Sequence, residues 1–126
     1  MLDGMDASTA FAKKDQVRYL DVREPYEWDS GHIDGSLHIP IGAIQNRFDE
    51  LDKEVPVVVV CQVGQRSALV AEFLATKGYD ANNLEGGLEA WVSQGYPLVS
   101  TEGPLGGVVD GWPTDNHGQR LDGDTD

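Results

Sequence analysis

The strongest constraint in the chain is the run VPVVVVC at residues 55–61, almost every member of which is apolar. A strand with one wet face alternates apolar and polar side chains, whereas a strand covered on both faces does not. The run is short and rich in β-branched valine, so it reads as a buried strand rather than a helix. A strand of this kind belongs in the middle of a parallel sheet. Parallel neighbours need crossover connections, which are usually helices.

The rest of the folded part supplies that alternation. Residues 16–22 (QVRYLDV) form a second strand, ended by the turn-prone Arg23, Glu24 and Pro25. Residues 37–39 and 83–85 are weaker strands, closed by Pro40 and by Gly86 and Gly87. Ile44, Phe48 and Leu51 are spaced as one helix face, as are Val70, Phe73 and Leu74 within residues 67–77, which Gly78 terminates. Residues 88–94 form a short helix stopped by Gly95. The order predicts an α/β sandwich: a mostly parallel central sheet flanked by helices.

The chain has 126 residues, so one domain can bury an adequate core. We assign residues 1–99 to that domain and residues 100–126 to a flexible tail. From residue 101 onward Glu102, Asp110, Asp115, Asp122, Asp124 and Asp126 face only Arg120, amid six glycines and two prolines. Such a composition cannot repay its ordering entropy by burial; Val108, Val109 and Trp112 are the residues there that could dock on the body. With 22 acidic against 9 basic residues the net charge is −13, which argues against binding nucleic acid or anionic lipid. No apolar run approaches the ~20 residues of a membrane span, and the N-terminus has neither the basic nor the apolar region of a secretory signal. A single cysteine, Cys61, excludes an internal disulfide and a cysteine-based zinc site. These features point to a reducing cytoplasm.

The position of Cys61 carries the chemistry. It ends the most buried strand and opens the segment Cys61, Gln62, Val63, Gly64, Gln65, Arg66, Ser67, which runs into an amphipathic helix. Ligands of open α/β sheets bind beyond the carboxyl ends of the strands, so Cys61 faces the expected crevice. The loop, freed by Gly64, can turn several N–H groups inward as an anion-binding nest. The helix dipole and the charge of Arg66 act at the same place. All three favour a thiolate, and a lowered thiol pKa is expected.

Four segments, LDVREPYEW (20–28), GHIDGSLHIP (31–40), VVVVCQVGQRS (57–67) and LEGGLEAW (84–91), together resemble the single-domain rhodaneses, a family of sulfurtransferases. The resemblance implies an α/β sandwich in which Cys61 is the nucleophile. It would take the outer sulfur of a donor such as thiosulfate, become a persulfide, and pass the sulfur to a thiophilic acceptor. Related cysteine-dependent phosphatases place five residues between the cysteine and the arginine. Here there are four, Gln62 to Gln65, and a smaller loop suits one sulfur better than a phosphoryl group. Rhodanese-like domains also occur as binding modules that typically lack the cysteine, so the presence of Cys61, Gly64 and Arg66 favours an enzyme.

Asp21 and Arg23 end the first clear strand and should open onto the same crevice. Asp21 is read as part of an ion pair that fastens the loop; Arg23 either completes that pair or lies near the donor anion. His32 and His38 are read as packing residues, since a nest and a dipole already ionise the thiol. Trp28 and Trp91 are read as core aromatics, Trp91 with the alternative of bordering the pocket. With no second thiol, a persulfide on Cys61 must be resolved from outside: by cyanide, a small thiol, a thioredoxin-like protein or a sulfur carrier. Nothing in the sequence calls for a metal, flavin or nucleotide cofactor.

Overall fold

The computed structural model describes residues 4–100; residues 101–126, with Val108, Val109 and Trp112, lie outside the described residues. The described chain forms two compact units, residues 4–24 with 35–96, and residues 25–34 with 97–100.

In chain order the elements are β1 (Gly4–Met5), α1 (Ala7–Ala12), β2 (Arg18–Asp21), α2 (Pro25–Ser30), β3 (Leu37–His38), α3 (Ile44–Arg47), β4 (Val57–Val60), α4 (Gln65–Thr76), β5 (Ala81–Leu84) and α5 (Gly87–Ser93). The five strands make one sheet in the order β1-β5-β4-β2-β3, every pair parallel. The valine run is the middle strand. All four residues of β4 are buried, and each fully buried valine side chain contributes about 1.5–3 kcal/mol of transfer free energy. Val57, Val59 and Cys61 belong to the core cluster that includes Val70, Ala71 and Leu74 of α4. Alternation sends Val58 and Val60 to the opposite face. The thiol is therefore carried on the face that α4 covers.

Several parts of the fold differ from the sequence expectation, the unforeseen helix α2 among them. Residues 4–12 hold β1 and α1, which the sequence pattern does not announce: β1 is only two residues long and pairs with Asn83 and Leu84, while α1 is capped by Asp6, whose Oδ1 accepts from the Thr9 N–H at 2.8 Å. Strand β5 begins at Ala81, earlier than expected, because two asparagines disguise it; asparagine is a poor strand former. The helical face of Ile44, Phe48 and Leu51 is not one helix. It is broken into a 3₁₀ turn (Ile41–Ala43), the four-residue α3 and a second 3₁₀ turn (Phe48–Glu50). None of the three has a side-chain cap, and the Tyr79 hydroxyl reaches the carbonyl oxygens of Phe48 and Leu51 at 3.2 and 3.1 Å. Tertiary contacts there replace helix continuity.

On the other face of the sheet Trp91 is buried in an aromatic group, edge-on to Phe11, Tyr19 and Tyr96, with Phe11 stacked on Tyr96. The Tyr19 hydroxyl donates to the Ala10 carbonyl at 2.6 Å, which ties β2 to α1. Trp28, expected in the core, is half-buried instead; it lies in the smaller unit, its ring stacked 3.5 Å from that of His32. The same unit is closed by a two-way backbone pairing of His32 with Val99.

Candidate active site

The site grows from the end of β4. Cys61 directly follows the last valine, and three residues later Gly64 turns the chain with φ +98°, a left-handed conformation that costs glycine little. A Cβ there would also sit 3.2 Å from the Gly86 nitrogen, so the turn is both bent and tightly packed. Helix α4 then begins at Gln65, two residues before the start expected at Ser67. Gln65, Arg66 and Ser67 are thus first-turn residues rather than loop.

That early start decides the chemistry. The first N–H groups of a helix lack partners within it and normally bond to a capping side chain. Gly64 has no side chain to offer, and α4 has no side-chain cap. The Cys61 sulfur takes that place. It accepts the Gly64 N–H at 3.1 Å, the Ser67 N–H at 3.3 Å and the Ser67 hydroxyl at 3.2 Å. Burial pushes the Cys61 thiol up, but the Ser67 hydroxyl and the N–H groups of Ser67, Gly64 and Arg66 outweigh it and hold the thiol below its ordinary value. Arg66 thus acts on the sulfur through its backbone N–H, an effect distinct from the charge expected of it.

Asp21 and Arg23 form a buried pair at the end of β2, each at most 3% exposed in its side chain. Arg23 Nε lies 3.0 and 3.1 Å from the two carboxylate oxygens, and its Nη2 lies 2.9 Å from Oδ2. The Arg23 backbone N–H also donates to Asp21 Oδ1 at 3.0 Å. The remaining arm, Nη1, reaches the side-chain oxygen of Gln62 at 3.4 Å, linking the pair to the residue after Cys61. A carbonyl can only accept, so His38 Nε2 donates to the Arg23 carbonyl at 2.8 Å and His32 Nδ1 donates to the Trp28 carbonyl at 2.9 Å. Val63 is exposed and Gln62 and Arg66 are half-buried.

Two contributors to the site escaped the sequence reading. Asn83 of β5 donates from Nδ2 to the Gly64 carbonyl at 3.1 Å, and its Oδ1 lies 2.5 Å from the Ser67 hydroxyl oxygen. Its only local signal is a polar residue near the carboxyl end of a strand beside the central one. The start of α5 is the second contributor: the Leu88 N–H donates to the Cys61 carbonyl at 2.9 Å and the Glu89 N–H to the Gln62 carbonyl at 3.1 Å. The adjacent glycines 86 and 87 were the available signal, since paired glycines mark a close backbone approach.

Among the described residues no group of three or more His, Cys, Asp or Glu is placed to hold a metal ion, and no helix is long and apolar enough to cross a membrane.

Comparison with known proteins agrees with this architecture. Residues 6–94 match the rhodanese-like domain. The chain is 35% identical over 103 residues to a sulfurtransferase of Allochromatium vinosum, covering 81% of this chain and 96% of that one. It is 37% identical over 97 residues to YtwF of Bacillus subtilis, provisionally named a sulfurtransferase, with 73% and 94% covered. Among solved structures, a rhodanese-related protein from Thermoplasma volcanium superposes with a TM-score of 0.75 at 34% identity, over 77% of this chain and 97% of that one. The chain belongs to the rhodanese-like domain family. Its family and these relatives support a function of the sulfurtransferase type.

Proposed function

We propose that this protein moves a sulfane sulfur from a donor such as thiosulfate to a thiophilic acceptor, cyanide or a thiol, through a persulfide on Cys61. The observation that carries the reading is the Cys61 sulfur set where a helix cap would be, with two backbone N–H groups and one hydroxyl on it. In the first half-reaction the Cys61 thiolate attacks the outer sulfur of thiosulfate. A sulfur–sulfur bond to Cys61 forms, the donor's sulfur–sulfur bond breaks, and sulfite leaves with the bonding pair. In the second, cyanide or a thiolate attacks the outer sulfur of the persulfide and the Cys61 thiolate is the leaving group. The N–H groups that lower the thiol serve both halves, because they populate the thiolate and make it a better leaving group.

Arg66, half-buried in the first turn of α4, supplies positive charge for the donor anion, and the Asp21–Arg23 pair holds Gln62. The spacing of four residues between Cys61 and Arg66 favours sulfur over phosphoryl transfer. Because the chain has a single cysteine, the physiological acceptor is external: a small thiol, a thioredoxin-like protein or a sulfur carrier in the cytoplasm. The decisive experiment is intact-mass measurement after mixing with thiosulfate. A gain of one sulfur atom, discharged by cyanide and missing in Cys61→Ser, is expected. A wild-type chain that takes up no sulfur rules out thiosulfate as the donor and favours the binding-module reading.

A further inference from the structure

Three groups meet on one proton beside the nucleophile. The Ser67 hydroxyl oxygen lies 3.2 Å from Cys61 Sγ and 2.5 Å from Asn83 Oδ1. A hydroxyl donates one hydrogen bond only. The Asn83 amide cannot turn over to become a donor to Ser67, because its Nδ2 is committed to the Gly64 carbonyl at 3.1 Å. Reversing it would set two carbonyl oxygens against each other. Toward Ser67, therefore, Asn83 is an acceptor, and so is the thiolate. Both cannot be served at once.

We propose that Asn83 is a positioning residue that competes with the Cys61 sulfur for the single Ser67 hydroxyl proton, so that this proton turns to the sulfur in the thiolate and back to Asn83 when the sulfur loses its charge. In the protonated thiol the S–H donates to the Ser67 oxygen and the Ser67 O–H donates to Asn83 Oδ1, a continuous chain. On ionisation the hydroxyl swings to the sulfur and Asn83 Oδ1 gives up its donor. On persulfide formation the negative charge moves to the outer sulfur, Sγ becomes a weak acceptor, and Asn83 regains the proton. Asn83 thereby tempers the acidity of the nucleophile and offers the hydroxyl a partner while sulfur is loaded. The last step rests on the proposed function; the competition itself does not.

The test is the pH dependence of Cys61 alkylation by iodoacetamide on the full chain with no sulfur donor present. Asn83→Ala removes the competitor, and the midpoint falls by about half to one pH unit, the share of one hydrogen bond. Ser67→Ala removes the proton and the midpoint rises. In the Ser67→Ala background, Asn83→Ala has no further effect. Asn83→Leu, which keeps the bulk, repeats the first arm. The charged and titratable groups on the surrounding elements, Asp21 at the end of β2 and Arg23 just after it, His38 of β3, Arg66 of α4 and Glu85 and Glu89 about the start of α5, are unchanged in every arm. A second readout needs no Asn83 variant: its side-chain amide resonances shift as Cys61 ionises, and the shift is lost in Ser67→Ala. An unchanged or raised midpoint in Asn83→Ala, a lowered one that survives in the Ser67→Ala background, or amide resonances indifferent to ionisation overturns the proposal. Because no donor is used, its failure is separate from a failure of persulfide formation.

Discussion

Gly87 is where the fold and the site depend most directly on one missing methyl group. It opens α5 with φ +61°, and a Cβ built there would lie 2.5 Å from the Cys61 carbonyl oxygen and from the carbonyl carbon and oxygen of Gln62. All three are backbone atoms, so no side chain can swing aside. Gly87→Ala must push the start of α5 off the loop, breaking the bonds from Leu88 to Cys61 and from Glu89 to Gln62. The left-handed conformation costs an alanine about 1–2 kcal/mol, and each lost backbone bond about 1 kcal/mol net. The sum is about 3–4 kcal/mol, against a total stability of about 5–15 kcal/mol. Gly35 provides the control: φ is +82° with nothing within 4 Å of its Cβ position, so Gly35→Ala shows the conformational cost alone. Urea unfolding should therefore place Gly87→Ala about 2 kcal/mol below Gly35→Ala, and Cys61 should alkylate more slowly only in the Gly87 variant. Equal losses in the two variants would refute the claim that the backbone approach, rather than the φ angle, makes glycine necessary.

Asp21→Ala takes the carboxylate from the buried Arg23 guanidinium and should cost about 3–5 kcal/mol, measured by chemical denaturation; a loss under about 1 kcal/mol would mean water replaces the carboxylate. Because folding lowers the Cys61 thiol from its ordinary value, its ionisation adds stability that is complete above the unfolded thiol's range and vanishes as pH falls through the folded value, so wild type should gain on Cys61→Ala as pH rises. Tyr19 titrates the other way: burial, then the charge of Asp15, pushes it up from 10.0 to about 12, so its contribution is intact below pH 10.0 and lost as pH rises toward about 12. Tyr19→Phe should flatten that alkaline decline. Truncation after Ser100 should leave the melting temperature and turnover unchanged, as the composition of residues 101–126 leads us to propose.

The features legible in the sequence are those that a local pattern encodes. Four consecutive valines announce a strand with no wet face, and β4 is central with every residue buried. Val70 and Leu74 are spaced for one helix face and are buried in α4. A cysteine after such a strand, followed by a glycine and a helix, places a sulfur at a helix start whatever else the chain does. What local pattern cannot encode is which distant segment supplies a partner. Asn83 reaches Gly64 and Ser67 across 19 and 16 residues, and Arg23 reaches Gln62 across 39. The register of β5 on β4 and the crossing of α5 over the loop create these contacts, and neither follows from periodicity. The tertiary structure also decided that α4 begins at Gln65, because its first N–H groups found a sulfur to bond in place of a capping side chain. Apolar burial is additive along the chain and so leaves a pattern to read; a hydrogen bond needs two particular groups within about 3 Å, and only the folded backbone brings them there.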